Sequence, residues 1–285
     1  MKRYKNFSLA NYNSYKIQAY CKEALFPEKN ADFVDIFNQY NRKEIILIGN
    51  GNNIILSKEF YDRPFIILNN CFNKIEIEDK IIIAQSAATF YDISKLALKN
   101  SLTGFEQFYD IPSSVGGGVV MNAGSNEGEI KDILIDLEYF DVEKKEIISI
   151  DNEGSKFSYR NSLFQNNKDY IVLSARFILK KGDSQKIKNK MNRIRNLRWE
   201  KQPRNYPNSG SVFKRPKGYY VGAMMDELNL KGYRIGGAEV SKKHSGFIVN
   251  VKNASGKDIL QLIDEVKMKI YKKFNVELEI EQRII

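Results

Sequence analysis

Residues 104–130 read GFEQFYDIPSSVGGGVVMNAGSNEGEI. The stretch is apolar, holds Gly116, Gly117, Gly118, Gly124 and Gly128, and carries no lysine or arginine. Glycine lets backbone N–H groups come close to a ligand and adopts positive φ without strain. A surface loop would be more polar, and a plain core strand would hold fewer glycines. The pattern reads as a backbone cradle for an anionic or planar ligand, buried between two layers. Taken alone, three consecutive glycines read as a tight turn between packed strands, and it is the rest of the chain that favours the cradle.

The 285 residues suffice for one large domain or two ordinary ones, and 42% hydrophobic content supports a real core. No apolar run is long enough to span a bilayer, and MKRYKNFSLANYNSYK has no apolar core of a secretory signal. Cys21 and Cys71 are the only cysteines, with no CxxC, which excludes a disulfide scaffold and a zinc site and points to a reducing compartment. A formal net charge of +10 suits an anionic partner. Lys, Ile and Asn are all abundant, however, as AT-rich coding produces, and that composition accounts for most of the excess. Lys156, Lys168, Lys180, Lys181, Lys186, Lys188 and Lys190 are dispersed, and no basic stripe interleaved with aromatics suggests a nucleic-acid module.

The hydrophobic periodicity predicts a helix over 31–41 with Val34 and Phe37 inward, then a buried strand at Ile45–Ile48 that resumes at Ile54 to Leu56. Strands are expected at 65–68, 75–77, 81–84, 134–140, 147–150 and 170–179, and a helix over 91–99. A long basic helix over 184–202 turns Ile187, Met191, Ile194 and Leu197 inward. Pro203 and Pro207 end it, so the domain boundary is set at 1–202 and 203–285. The second part carries a short helix at 224–228, a strand at 244–249, and a helix from Ser255, where Ser255 and Asp258 form a capping box. Alternation of Val276, Leu278 and Ile280 with Glu277, Glu279 and Glu281 predicts a final strand. The mixture makes an α+β protein.

Four further segments could carry chemistry. Gly49-Asn50-Gly51-Asn52-Asn53 follows a buried strand and could form an anion nest, though an ordinary turn explains it as well. In Tyr159-Arg160-Asn161-Ser162-Leu163-Phe164, Arg160 offers a fixed charge and a bidentate fork. Asn208-Ser209-Gly210-Ser211-Val212-Phe213-Lys214 puts an open serine beside a glycine. Gly236-Gly237-Ala238-Glu239-Val240-Ser241-Lys242-Lys243-His244 ends on the sole histidine, which has no second ligand at metal spacing. Each segment alone is a turn or a solvated surface.

Together and in order, IPSSVGGGVVMNAGSNEGEI, YRNSLF, GSVFKRP and LKGYRIGGAEVSKKHSGFIVN resemble the UDP-N-acetylenolpyruvoylglucosamine reductase family, from about Asn41 to the C-terminus. Trp199 to Ser211 is too short for the extra tyrosine-bearing loop of one branch, so the chain resembles the branch without it. The resemblance implies a two-subdomain FAD-binding α+β fold similar to that of vanillyl-alcohol oxidases, followed by a C-terminal α+β substrate domain. It implies non-covalent FAD held by Gly49, Asn50, Gly51, Asn52, Asn53, Ile111, Pro112, Ser113, Ser114, Gly116, Gly117, Asn122, Ala123 and Gly124. It further implies NADPH as hydride donor and UDP-N-acetylglucosamine enolpyruvate as substrate, bound through Tyr159, Lys201, Lys243 and His244. Arg160, Ser211 and Glu281 would then be catalytic. Arg160 stabilises charge growing on the carboxylate side, Glu281 is a neutral acid, and Ser211 protonates the α-carbon. A cytoplasmic bacterial monomer of peptidoglycan synthesis is expected, with no metal, nucleic acid or membrane partner. The chain departs from the family pattern at Gln18, Ala19, the GNGNN loop, Asp110, Ser113 and Gly246. A divergent flavoprotein paralogue acting on another nucleotide sugar or enol is the alternative. An oxidase with histidine-tethered FAD and a non-catalytic basic module are weaker ones.

Overall fold

In the computed structural model, residues 1–69, 71–125 and 127–285 are described. The chain opens with β1 (Lys2–Ser8) and β2 (Tyr20–Phe26), helix α1 (Ala31–Gln39), then β3 (Ile46–Ile48), β4 (Ile54–Ile55) and β5 (Phe60–Ile67). Next come β6 (Ile75–Glu78), β7 (Ile81–Gln85), α2 (Phe90–Lys99), β8 (Leu102–Thr103), α3 (Val115–Val120), β9 (Gly124–Ser125) and β10 (Gly128–Glu129). There follow β11 (Leu134–Asp141), β12 (Glu146–Asp151), α4 (Leu163–Asn166), β13 (Tyr170–Ile178), β14 (Lys180–Lys181) and α5 (Ser184–Lys201). The last elements are α6 (Val221–Glu227), β15 (Arg234–Ile235), β16 (Ala238–Val240), β17 (Ile248–Asn250), α7 (Gly256–Phe274) and β18 (Arg283–Ile284).

Two compact units share this chain. Unit 1 takes Met1–Arg3, Leu25–Asn50 and Phe65–Arg198, and unit 2 takes Tyr4–Ala24, Gly51–Pro64 and Trp199–Ile285. The expected division into 1–202 and 203–285 is contiguous, whereas these compact units interleave in sequence. Trp199 opens the C-terminal part of unit 2, but two early segments also belong there, because unit 2 is stitched together by bonds such as Ser209 Oγ to the Ile54 carbonyl and Tyr15 to Gln282.

Unit 1 is built on an antiparallel sheet in the order β12-β11-β13-β7-β6. Apolar side chains cover both its faces. On one, Phe90, Phe105, Phe108 and Phe177 form an aromatic cluster, with Phe90 edge-on to Phe105 at 5.6 Å and to Phe108 at 5.3 Å. On the other, Phe33, Ile36 and Phe37 of α1 pack with Phe140, Ile171 and Leu173. The ladder between β11 and β13 slips between Glu138, opposite Ser174, and Tyr139, opposite Val172. Leu173 is thus the extra residue of a bulge, and the in–out alternation reverses there. Ile171 and Leu173 face one cluster, while Ala175 and Phe177 join Val172 in the other.

The glycine triplet is neither an open cradle nor a turn: it lies in helix α3. Intrinsic propensity opposes a helix of this composition, so packing imposes it. A Cβ on Gly118 would fall 2.1 Å from Phe90 Cζ, and one on Gly116 would fall 3.0 Å from Ser86 Cβ. Ser114 caps the helix, the Val115 N–H donates to the Ala88 carbonyl, and the Gly116 N–H donates to the Ser86 carbonyl. The helix therefore lies directly on the end of β7 and the start of α2.

In unit 2, helix α7 has the expected capping box of Ser255 and Asp258 and buries Ile259, Leu262, Ile263, Val266 and Ile270. Gly256 touches backbone: a Cβ there would lie 1.8 Å from the Leu56 carbonyl oxygen. Four expectations shift. Val34 is only half-buried, and Phe33, Ile36 and Phe37 face inward. Leu197 is exposed, since α5 buries only Ile187, Met191 and Ile194. The predicted final strand is reduced to a single bridge of Ile280 to Phe213 and the short β18, paired in parallel with β4. Likewise β17 starts at Ile248, because the Ser241 hydroxyl accepts the Lys243 and His244 N–H groups and folds 241–247 into a turn. Among the described residues no helix is long and apolar enough to cross a membrane.

Gly118→Ala should destabilise the protein by roughly 2 kcal/mol in urea unfolding through overpacking against Phe90, even though alanine gains about 1 kcal/mol of helix propensity. Wild-type stability would show that the Phe90 contact does not dictate the glycine.

Candidate functional site

In unit 1 the expected residues gather around the exit of α3. Arg160 sits in a tight turn closed by Ser158 and Asn161, with φ +52°, a left-handed conformation that arginine seldom adopts. Its Nη2 donates to the Gly124 carbonyl at 2.8 Å, and its Nη1 lies 3.5 Å from the Asn122 carbonyl and 3.7 Å from Glu129 Oε1. The guanidinium also lies 5.1 Å from the centre of the Tyr159 ring, which is itself half exposed. Asn122 is fully buried. Its amide donates to Glu129 and to the Ser158 carbonyl, and its oxygen accepts the Lys131 N–H. The Asn122 side chain is thus satisfied internally and serves to lock the Arg160 turn to 129–131. Ala123 and Gly124 are fixed in the same way, Ala123 donating to the Gly118 carbonyl and accepting from the Ile130 N–H. Glu129, inside the opening segment, is the residue that sequence reading missed here. Nothing in the sequence sets it apart, since Glu106, Asp110 and Glu127 lie in the same segment.

The α3 N–H groups are engaged internally, so the glycines act through surface rather than through free donors. Gly117 is exposed, and a Cβ there would meet only the Ser114 and Ser113 hydroxyls, at 3.4 and 3.7 Å. Gly49 faces Ser114 in turn, with its Cβ position 3.1 Å from the Ser114 hydroxyl. Beside these bare positions, Asn50 Oδ1 and Ser86 Oγ are buried with no hydrogen-bond partner among the described residues. Buried polar atoms are normally paired. Two unpaired ones beside close-packed glycines are what a polar, flat cofactor would satisfy, so the residues fit FAD. Ser86 gave no signal in the sequence.

The second half of the GNGNN loop lies in unit 2 and is not an open nest. Gly51 has φ +68°, and a Cβ would fall 2.0 Å from the Tyr12 carbonyl oxygen. Its own carbonyl accepts the Ser14 N–H, Asn52 Oδ1 accepts the Ser14 hydroxyl, and Asn53 Nδ2 donates to the Glu281 carbonyl at 3.2 Å.

Ser211 and Glu281 come together in unit 2. Phe213 bridges Ile280, the Lys214 N–H bonds the Glu279 carbonyl, and the Glu281 N–H bonds the Val212 carbonyl at 2.8 Å. On its other side Ser211 bridges Phe247, and the Val212 N–H donates to the Gly246 carbonyl. The exposed Ser211 thus lies between Glu281 and the turn that bears His244. His244 Nδ1 accepts the Gly246 N–H at 3.1 Å, and its ring meets Phe247 edge-on at 4.9 Å. Burial lowers its pKa below the ordinary 6.5. Lys243 Nζ donates to the Trp199 carbonyl, and Lys201 is exposed on α5. Among the described residues no group of acids, cysteines and histidine could hold a metal ion.

The chain is 39% identical to UDP-N-acetylenolpyruvoylglucosamine reductase of Francisella tularensis over 280 residues, which cover 98% of each chain. This chain belongs to the UDP-N-acetylenolpyruvoylglucosamine reductase family. The reductase of Clostridium novyi is 41% identical over 283 residues, 98% of this chain and 91% of that one. The C-terminal domain of UDP-N-acetylenolpyruvoylglucosamine reductase matches residues 202–285, and the FAD binding domain family matches 22–151. The crystal structure of the Thermus caldophilus reductase superposes with a TM-score of 0.83 at 27% identity, covering 99% of this chain and 98% of that one. The fold extends further: a glucose dehydrogenase, Phl p 4.0202, matches 64% of this chain and 42% of its own with a TM-score of 0.50 at 12% identity. The family members' FAD-binding α+β fold with its C-terminal domain is therefore the fold of this chain.

Within this reductase family the chain's departures have local partners. Asp110 pairs with Arg198 at 3.1 Å, Ser113 donates to the Ser114 carbonyl, and Gly246 supplies the N–H held by His244. Ala19 is buried, with its carbonyl accepting the Leu9 N–H, and Gln18 is exposed.

Because the folded state favours neutral His244, the unfolded chain takes up the proton first as pH falls. The stability contributed by His244 should be intact above about pH 6.5 and shrink below it. Urea unfolding of wild type and His244→Gln between about pH 8 and about pH 5 should show the difference narrowing on acidification. A gap that widens would contradict a buried neutral imidazole.

Proposed function

We propose that this protein reduces UDP-N-acetylglucosamine enolpyruvate to UDP-N-acetylmuramate, using NADPH, in peptidoglycan precursor synthesis. Within the family match, the observation that supports the reading is the backbone pairing that sets Val212, the residue after Ser211, opposite Glu281. When bound, FAD would supply the redox chemistry, hydride transfer from NADPH to the β-carbon of the enol ether. Gly49, Asn50, Gly51, Asn52, Asn53, Ile111 to Ser114, Gly116, Gly117 and Asn122 to Gly124 would hold it. Asn50 Oδ1 and Ser86 Oγ would offer hydrogen-bonding atoms, and Gly117 a surface without a side chain.

The chain's own residues handle charge and protons. Arg160, its orientation set by the Gly124 carbonyl, is a preorganised cation for charge growing on the substrate carboxylate. Glu281, held as a neutral acid, donates a hydrogen bond to the same group. Ser211 gives its hydroxyl proton to the α-carbon as general acid. Tyr159, Lys201, Lys243 and His244 bind the nucleotide sugar. Both cysteines are free, and burial pushes both thiols up to about 11, which suits a reducing cytoplasm. The enzyme is expected to act there as a monomer.

The test is an anaerobic absorbance titration of the purified protein. A flavin spectrum that bleaches with NADPH and returns on adding the enolpyruvyl nucleotide is expected. A spectrum that bleaches but does not return with this substrate would point to another acceptor. Ser211→Ala should keep FAD and its reduction but slow reoxidation by roughly 10²-fold. Gly117→Ala should leave stability nearly unchanged yet weaken FAD by about tenfold in a fluorescence titration. Unchanged FAD affinity would remove Gly117 from the cofactor surface.

A further inference from the structure

The Ser209–Ser211 loop is open on one side and gripped on the other. Gly210 has φ +81°, and a Cβ there would meet nothing within 4 Å, so the tip of the loop faces open space, with its N–H held by Asn208 Oδ1 at 3.1 Å. From inside, the Gln282 amide nitrogen lies 3.1 Å from the Ser209 carbonyl oxygen, 3.2 Å from that of Gly210 and 3.4 Å from that of Ser211. Carbonyl oxygens only accept, so the amide –NH2 must face the loop and Oε1 must face away. There Oε1 accepts the Tyr15 hydroxyl at 3.0 Å. Tyr15 is fully buried, and burial holds its phenol protonated and hence a donor. Asn250 completes the brace: its amide donates to the Tyr15 carbonyl at 2.8 Å, and its own N–H donates to the Pro207 carbonyl at 2.9 Å, just ahead of the loop. Gln282 is itself buried and follows Glu281 directly, so one peptide unit links the acid on the partly exposed side to the brace on the buried side.

We infer that Gln282, backed by Tyr15, is a positioning residue for the reaction, holding the Ser209–Ser211 backbone so that the Ser211 hydroxyl meets the substrate α-carbon. The inference rests on the general-acid role of Ser211. Proton transfer to carbon demands tight placement, and an error of about 1 Å can cost roughly 10²-fold. The Ser209 hydroxyl, bonded to the Ile54 carbonyl, and Asn208, bonded to the Gly210 N–H, hold the loop ahead of Ser211, and the Gln282 amide extends that hold across all three carbonyls, that of Ser211 included.

The test uses the FAD-loaded protein, reduced anaerobically with NADPH and then mixed with saturating enolpyruvyl nucleotide, with flavin reoxidation as the readout. Gln282→Leu should slow reoxidation by about 10- to 100-fold. The rate of reduction by NADPH and the substrate concentration at half-saturation should stay within about twofold. Tyr15→Phe, which frees Oε1 but leaves the amide facing the loop, should slow reoxidation by a few-fold. In a Ser211→Ala background, either substitution should add less than about twofold, because residues acting through one group are not additive. An equal loss in both backgrounds would overturn the proposal, since Gln282 would then act on the structure at large. A slow Ser211→Ala enzyme beside a normal Gln282→Leu enzyme overturns the proposal alone, whereas a normal Ser211→Ala enzyme overturns the serine's role and the proposal with it. Should Gln282→Leu fail to fold, Tyr15→Phe in the two backgrounds carries the same comparison.

Discussion

The edge of Phe90 against the bare backbone of Gly118 is the contact on which unit 1 is arranged. Phe90 begins α2, anchors the aromatic cluster with Phe105 and Phe108, and leaves no room for even a methyl group on α3. A helix that close to the sheet end brings the Gly116 N–H onto Ser86 and leaves Gly117 facing outward with no side chain. The three adjacent glycines thus do three jobs: one meets a strand end, one meets solvent, one meets a ring. Their closeness also directs the chain after α3 into the Asn122–Gly124 carbonyls that orient Arg160.

In unit 2 the segment that bears Ser211 reaches comparable order without a regular strand. Around Ser211 the chain is held by single bridges and isolated backbone bonds, to Phe247 on one side and to 279–281 on the other. Such pairing fixes neighbours without committing their side chains to a pleated face. It suits a segment whose serine is exposed while Val212 and Phe213 are buried.

The strand and helix order was largely legible, because hydrophobic periodicity survives wherever an element has one buried face. The capping box at Ser255 and the apolar stripe of α7 were readable for the same reason. The glycine segment was legible as a place of close approach but not as a helix, because the ring that demands glycine comes from Phe90, far back in the sequence. The terminal alternation from Val276 to Ile280 suggested a strand, yet it finds only bridging partners. The interleaved units were hidden as well, since nothing in Tyr4–Ala24 says that its carbonyls and side chains belong with residues beyond 199. Of the site, Arg160, Ser211 and Glu281 could be named through ordered motifs. Glu129, Ser86, Gln282 and Tyr15 could not, because a buried hydrogen-bonding partner has no local pattern.

The bulge at Leu173 bears on how this protein can drift over evolutionary time. Upstream and downstream of it, β13 presents opposite parities to the two clusters. Losing Leu173 itself would heal the ladder with Val172 still opposite Tyr139 and Ser174 still opposite Glu138, so every other residue would keep its face. Such a loss would cost only the side chain that Leu173 gives to the cluster around α1, whereas a residue lost elsewhere in β13 would turn its neighbours to the wrong face. Lineages of this chain should therefore change the length of β13 at Leu173 before they change it anywhere else along the strand.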